Sequence, residues 1–306
     1  MADLTVIILT RNEADRLEAC IRSVRAAAKR IVVVDSYSDD CTCALAAELG
    51  AEVVQHPFES HAAQFNWALE HLNLTTEWVM RLDADEVLTP ELAAELQERL
   101  DALRAPVNGV ILRRRVYFMG RWLKHGGMYP QRLLRIFRTG HGRSEQRQMD
   151  EHLILTDGRA VTFRFDFADC GGRTLAWWIE KHNRYSDKEV LDRLSTGGGP
   201  EPERAVERGA SSPQAGRKRL LKRYGYYRLP RFFRAHLYYL YRYYIRLGFL
   251  DGTEGKIFTF LQAYWYRFLV DAKLYECEKA DTRPEEPDGC RRTGSGGSAW
   301  SGKSGS

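Results

Sequence analysis

Asp83 and Asp85 are spaced i, i+2 just past an apolar stretch at residues 77–82, within Asp83-Ala84-Asp85-Glu86. Two carboxylates so placed at a strand end can face one site. Oxygen ligands suit a hard cation such as Mg²⁺ or Mn²⁺. A cation held there can act as a Lewis acid and neutralise a diphosphate leaving group. A solvated acidic turn before a helix fits the same short motif, so the pair is a candidate that needs its surroundings.

Other polar residues fall at similar places. Asp35 closes an apolar run at residues 30–36, where an acid can bond a ribose or a base. An Asp in Asp35-Ser-x-Ser-Asp-Asp can equally serve as a turn or cap residue. Thr10, Asn12 and Glu13 follow the first apolar run, and early acids also suit a helix N-terminus. Asp150-Glu151-His152 is an acidic cluster after a basic stretch. Transfer of a group onto a hydroxyl needs a carboxylate to accept that hydroxyl's proton, although a solvated strand start looks the same in sequence.

The elements that must position these residues alternate in the α/β manner. Apolar runs at 4–10, 30–36, 52–55 and 77–82 predict strands. Helical periodicity predicts helices at 13–28, 41–49, 61–72 and 89–103. Gly50 is a stop signal, and Thr89-Pro90 supplies a cap and a first helical residue. This order predicts a mostly parallel sheet with helices on both faces, whose ligands bind beyond the carboxyl ends of the strands. Residues 109–169 read as strand-rich, 174–194 as a helix, 195–216 as a Gly/Pro/Ser-rich linker, and 217–278 as helical. The tail from Asp281 is low in complexity and predicts disorder.

The chain has 306 residues, 28% of them charged and 44% hydrophobic, within the range of a folded soluble protein. Its net charge is +5, unevenly spread: residues 208–250 contain no Asp or Glu. Such a segment calls for an anionic partner. No apolar run reaches the roughly 18–20 residues of a membrane-spanning helix, and no secretory leader is visible. Cys41 and Cys43 lack a second pair for zinc, and six scattered cysteines fit reduced thiols of the cytoplasm.

The stretches LTRNEADRL, VVVDSYSDDCT, AAQFNWAL, RLDADEVLTPEL, MGRWLKHGGMYPQRLLRIFR and WIEKHNRYS resemble family 2 glycosyltransferases. More narrowly, they resemble the enzymes that add glucose in β1,4 linkage to the inner core of lipopolysaccharide. The likeness runs in order over residues 3–195, and GFLDGTEGKIFTF near the C-terminus extends it. The resemblance implies a GT-A fold and an inverting single displacement from a UDP-sugar, with UDP-glucose as the expected donor. It places Thr10, Asn12, Glu13 and Asp35 at nucleotide-binding positions, and Asp83 and Asp85 at the ribose and metal positions. Glu151 falls on the family's Glu and is the expected base; Asp150 stands where the family has His. Tyr37 stands where the family usually has Gly. The QxxRW motif of processive synthases is absent from the sequence, which favours addition of a single sugar.

These readings divide the chain into a GT-A catalytic domain (1–195), a linker (196–216), a basic aromatic helical segment (217–280) and a disordered tail (281–306). Interleaved Arg, Lys and Tyr in the third part fit a helix on an anionic membrane surface, docked in part on the catalytic domain. An anionic glycan or glycolipid acceptor, and a peripheral place on the inner face of the cytoplasmic membrane, follow from the same charge. A same-fold transferase for another saccharide or a protein acceptor is the second reading. A nucleic-acid-binding protein is the third, and no nucleic acid is expected, because it leaves the strand-end acids without a use.

Overall fold

The computed structural model describes residues 1–145, 152–171, 174–195 and 229–280. Residues 150 and 151, the 196–216 linker, the first part of the basic segment and the tail lie outside these.

The chain opens with β1 (Ala2–Thr10), α1 (Ala14–Val24), β2 (Ala28–Asp35), α2 (Thr42–Glu48), β3 (Glu52–Gln55), α3 (His61–His71) and β4 (Trp78–Asp83). Then follow β5 (Glu86–Leu88), α4 (Pro90–Arg99), β6 (Val107–Phe118), β7 (Arg121–Leu123), β8 (Gln131–Arg138), β9 (Gly142–Ser144), β10 (Leu153–Leu155), β11 (Arg159–Asp169) and α5 (Leu175–Ser195). The main sheet runs β3-β2-β1-β4-β8-β6-β11-β5, with β7 paired to β6. Strands β1–β4 are mutually parallel, β8 is antiparallel to β4 and β6, and β11 is parallel to β6. The first four strands are parallel as expected, but the whole sheet is mixed, with four parallel and four antiparallel pairings among the described residues, because β5, β7 and β8 run against their neighbours.

β1 is apolar throughout because both its faces are covered. Leu4, Val6 and Ile8 pack with Leu17, Ile21, Leu92 and Leu96 of α1 and α4. Ile7 and Leu9 point the other way, against Phe65 and Ala68 of α3. Local signals set the helix ends. The Thr89 hydroxyl accepts from the Leu92 amide at 3.3 Å with Pro90 behind it, and Ser60 caps α3 from 3.0 Å. Gly50 takes φ +72° after α2, a conformation that favours glycine. α4 ends at Arg99, four residues before the expected end.

The C-terminal part is α6 (Phe233–Leu240), continued by a π-helical stretch Tyr241–Ile245, then α7 (Gly252–Thr259), a second π-helical stretch Phe260–Trp265, and α8 (Tyr266–Ala280). A short turn at Gly248–Asp251 breaks what composition alone predicts as continuous helix. Phe258 joins Val116, Phe118, Leu123 and Met128, while Val270 and Leu274 pack on Val190 of α5. Arginines of the basic segment also turn inward. Arg234 is buried against Asp271, and buried Arg242 donates to the Gly126 carbonyl at 2.7 Å. The basic face expected here is thus partly an internal one, because distant acceptors claim these guanidinium groups.

Candidate functional site

The parallel register brings strand ends into one row: Thr10 opposite Asp35, Asp35 opposite Gln55, and Leu9 opposite Asp83. Asp35 is fully buried. Its carboxylate accepts from Thr10 Oγ1 at 3.0 Å, the Ser38 amide at 2.8 Å and the Ser38 hydroxyl. Burial pushes this carboxyl up, but the Ser38 and Thr10 hydrogen bonds outweigh it and hold the group below its ordinary value. Asn12 braces the same loop: its amide donates to Ser38 and its side-chain oxygen accepts from the Asp39 amide. The Glu13 amide donates to Thr42 Oγ1 at 3.0 Å. Tyr37 adopts φ +53°, which accounts for a preference for Gly at that position.

Asp83 ends β4 between two arginines. Arg81 Nε lies 3.6 Å from Asp83 Oδ1 and Arg135 Nη2 3.8 Å from Oδ2. Partial burial alone would raise the Asp83 carboxyl; Arg81 and Arg135 hold it far below the usual carboxylate range. Asp83 Oδ1 is nonetheless buried with no hydrogen-bond partner, an acceptor left over for a ligand.

Asp85 behaves in the opposite way. Burial, then the nearby Asp169 and Asp83 carboxylates, push it up to about 6. Asp169 arrives from the end of β11, which pairs with Glu86 across β5. The Cys170 amide donates to the Asp85 carbonyl at 2.9 Å. A Cβ placed on Gly171 would lie 3.2 Å from Asp169 Oδ1 and 3.7 Å from Asp85 Oδ2. Two carboxylates therefore flank one small space that a side chain would fill. Arg16 Nη1 stands 3.7 Å from Asp85 Oδ2, and Arg114 Nη1 3.5 Å from Asp169 Oδ2. Glu86, buried beneath, is pushed up to about 8 by burial, although Arg135 bonds it.

No group of three or more His, Cys, Asp or Glu converges on a metal position among the described residues. A pair of carboxylates still fits Mg²⁺ or Mn²⁺, which commonly take one or two carboxylates and complete their shell with water and substrate phosphates.

The structure thus brings Thr10, Asn12, Glu13, Asp35, Asp83 and Asp85 to one edge of the sheet. Sequence reading missed Asp169, Arg81, Arg114 and Arg135. Asp169 had a usable signal, an acid closing a strand and followed by Gly171; the arginines had none. Asp150 and Glu151 lie outside the described residues, but their flanks are placed. The Glu145 amide donates to the His152 carbonyl at 2.8 Å, and Leu153 pairs with Ser144. Ser144 is pinned by Asn66 of α3 and lies 3.5 Å from Arg81 Nη1, beside Asp83.

Comparison with known proteins addresses the family and the fold. The chain is 27% identical to the lipopolysaccharide core biosynthesis glycosyltransferase LpsC of Rhizobium meliloti, over 93% of this chain and 96% of that protein. It is 38% identical to an uncharacterized glycosyltransferase of Rickettsia felis, over 32% of this chain and 34% of that one, so the match spans about a third of that relative. Among solved structures, a mannosyltransferase from Pyrobaculum calidifontis, in complex with GDP-mannose and Mn²⁺, superimposes with a TM-score of 0.50 at 16% identity. That superposition covers 89% of this chain and 87% of the other, and speaks for the fold. The sequence profile of glycosyl transferase family 2 matches residues 5–171, more than half of the chain. The protein belongs to glycosyl transferase family 2.

Proposed function

We propose that the protein is an inverting, cation-dependent glycosyltransferase that moves a hexose, glucose by resemblance, from a UDP-sugar to a lipopolysaccharide core or related lipid-linked glycan. The observation that carries this is the meeting of Asp85 and Asp169 beside the Thr10–Asp35 strand ends. The role that the name of the full-length Rhizobium relative states supports the acceptor class.

In this reading Asp35 and the loop braced by Asn12 and Glu13 seat the nucleotide. Asp83 Oδ1, ion-paired with Arg81 but without a hydrogen-bond partner, accepts from a ribose hydroxyl, since two arginines already balance its charge. Asp85 and Asp169 hold Mg²⁺ or Mn²⁺, and the mutual repulsion that raises Asp85 is what a cation there relieves. When bound, the cation neutralises the departing diphosphate. Glu151 takes the proton from the acceptor hydroxyl as that oxygen attacks the anomeric carbon opposite the leaving group, which inverts the centre. Asp150 is the other candidate for that base. The protein acts in the cytoplasm, at the inner face of the cytoplasmic membrane.

A thermal-shift series tests the donor. UDP-glucose with Mn²⁺ should raise the melting temperature, because a ligand of the native state alone stabilises it by about 2.7 kcal/mol at 100 times its Kd. Stabilisation by GDP-mannose and not by any UDP-hexose would overturn the donor assignment.

A further inference from the structure

The outer face of α6 and the turn after it is apolar where solvent would be expected. Twelve residues between 231 and 250 are exposed, and nine of them are large apolar or aromatic, among them Phe233, Leu240, Tyr244, Ile245, Leu247 and Leu250. Ile245 is 71% exposed. The helical members 233, 237, 240, 241, 244 and 245 follow one-face spacing, and Arg234, Ala235 and Arg242 occupy the buried face. Scattered exposed apolar residues are ordinary on a soluble protein, but a contiguous face of this extent marks an interaction surface.

We propose that this face inserts into the headgroup region of an anionic lipid bilayer, with α6 lying in the plane of the interface. Charge selects this occupant. The three other exposed residues are Arg231, His236 and Arg246; no acid lies between 208 and 250, Asp251 is buried, and the acid beside Arg231, Glu278, is already bonded to it. A second copy of the chain would add another exposed Arg246 to the interface and no acid from 208–250 to meet it, so the face is not complementary to itself, as a two-fold interface requires. A bilayer offers hydrocarbon to the apolar face and phosphate to its cationic members. No described helix is long and apolar enough to cross a membrane, which fits a helix that lies on one. The purpose of the face rests on the reading of a lipid-linked acceptor: it would hold the sheet edge near the surface where that acceptor is anchored.

This inference differs from attachment by basic residues alone. Attraction between exposed charges is screened by salt, whereas buried apolar area is not. The test is co-sedimentation of the full chain with phosphatidylethanolamine/phosphatidylglycerol vesicles at low salt and at about 0.5 M salt, where screening is nearly complete. Wild type should pellet in both. The double variant Leu240→Glu/Ile245→Glu should partition at least about tenfold more weakly in both. Tyr244→Ser/Ile245→Ser serves as a milder pair if the first fails to fold, with melting curves run beside each. Release of wild type by salt, or equal pelleting of wild type and folded variants, would overturn the inference. So would a wild-type dimer in solution that the same substitutions dissociate. Cation-dependent hydrolysis of UDP-hexoses without vesicles is measured on the same samples. Hydrolysis without pelleting sinks the surface and leaves the enzyme reading; pelleting without hydrolysis does the reverse.

Discussion

Asp85 and Asp169 approach each other across Gly171, one from the turn after β4 and the other from the end of β11. Two like charges held together by backbone geometry need a reason, since burial and the Asp169 charge raise the affinity of Asp85 for protons. A divalent cation is that reason in the proposed mechanism, and the pair gives the first prediction.

Asp169→Asn should lose Mn²⁺-dependent donor turnover by about 100-fold or more, with its melting temperature little changed. A carboxylate ligand supports several kcal/mol of charge stabilisation at the leaving group, and each 1.36 kcal/mol is tenfold in rate. Steady-state hydrolysis against Mn²⁺ concentration checks it. Unchanged Mn²⁺ dependence in Asp169→Asn would remove this residue from the site.

Glu151→Gln should bind UDP-hexose as wild type does and transfer about 10²–10⁴-fold more slowly, because the amide accepts no proton. Isothermal titration and a transfer assay separate the two effects. A dead Asp150→Asn beside an active Glu151→Gln would move the base one residue upstream.

Asp271→Asn should destabilise the fold by about 3–5 kcal/mol in urea unfolding. The Arg234–Asp271 pair is buried, and removing one partner leaves the other charge uncompensated. Replacing both by apolar residues of similar volume should cost far less. Equal losses in the single and double variants would show that packing, not charge, is at stake.

Stability should fall as pH drops from about 6.5 towards 4, and His182 should contribute to the fall. Burial, stacked on Trp178 at 3.5 Å between ring centroids, pushes His182 down to about 4. Between the unfolded value near 6.5 and that folded value, the unfolded chain binds the extra proton, so stability rises with pH. The contribution is complete above about 6.5 and gone below about 4. His182→Gln should flatten this part of a melting-temperature-against-pH curve; an unchanged slope would refute it.

The first half of the fold was legible because its signals are local. Thr89-Pro90, Gly50 and the buried run at residues 4–9 act through the backbone beside them. The strand-end rule found Asp35 and Asp83 for the same reason. Asp169 escaped because its place depends on sheet order: β11 lies parallel to β6, so its end opens on the same edge. In sequence, Asp166 looks like a solvated strand residue, yet it is buried with Arg113, Arg115 and Tyr129. Arg81 and Arg135 read as interruptions of apolar runs until the fold sets them on either side of Asp83. The basic C-terminal segment misled in part because Asp271 and the Gly126 carbonyl, which draw Arg234 and Arg242 inward, are far away in sequence.

The grip of the C-terminal helices on the loop after β7 bears on how such proteins can be recombined. Asp251 accepts from the Lys124 and His125 amides and from the His125 ring, while Gly126 bonds Arg242 and Arg246 on either side. That loop leads into Tyr129, whose hydroxyl donates to Asp166 under the sheet edge. A chain cut after Ser195 would strip all these partners from the loop at once. Chimeras that exchange C-terminal segments between relatives should therefore carry residues 121–130 along with the helices, since the two stretches form one inheritable unit despite their separation in sequence.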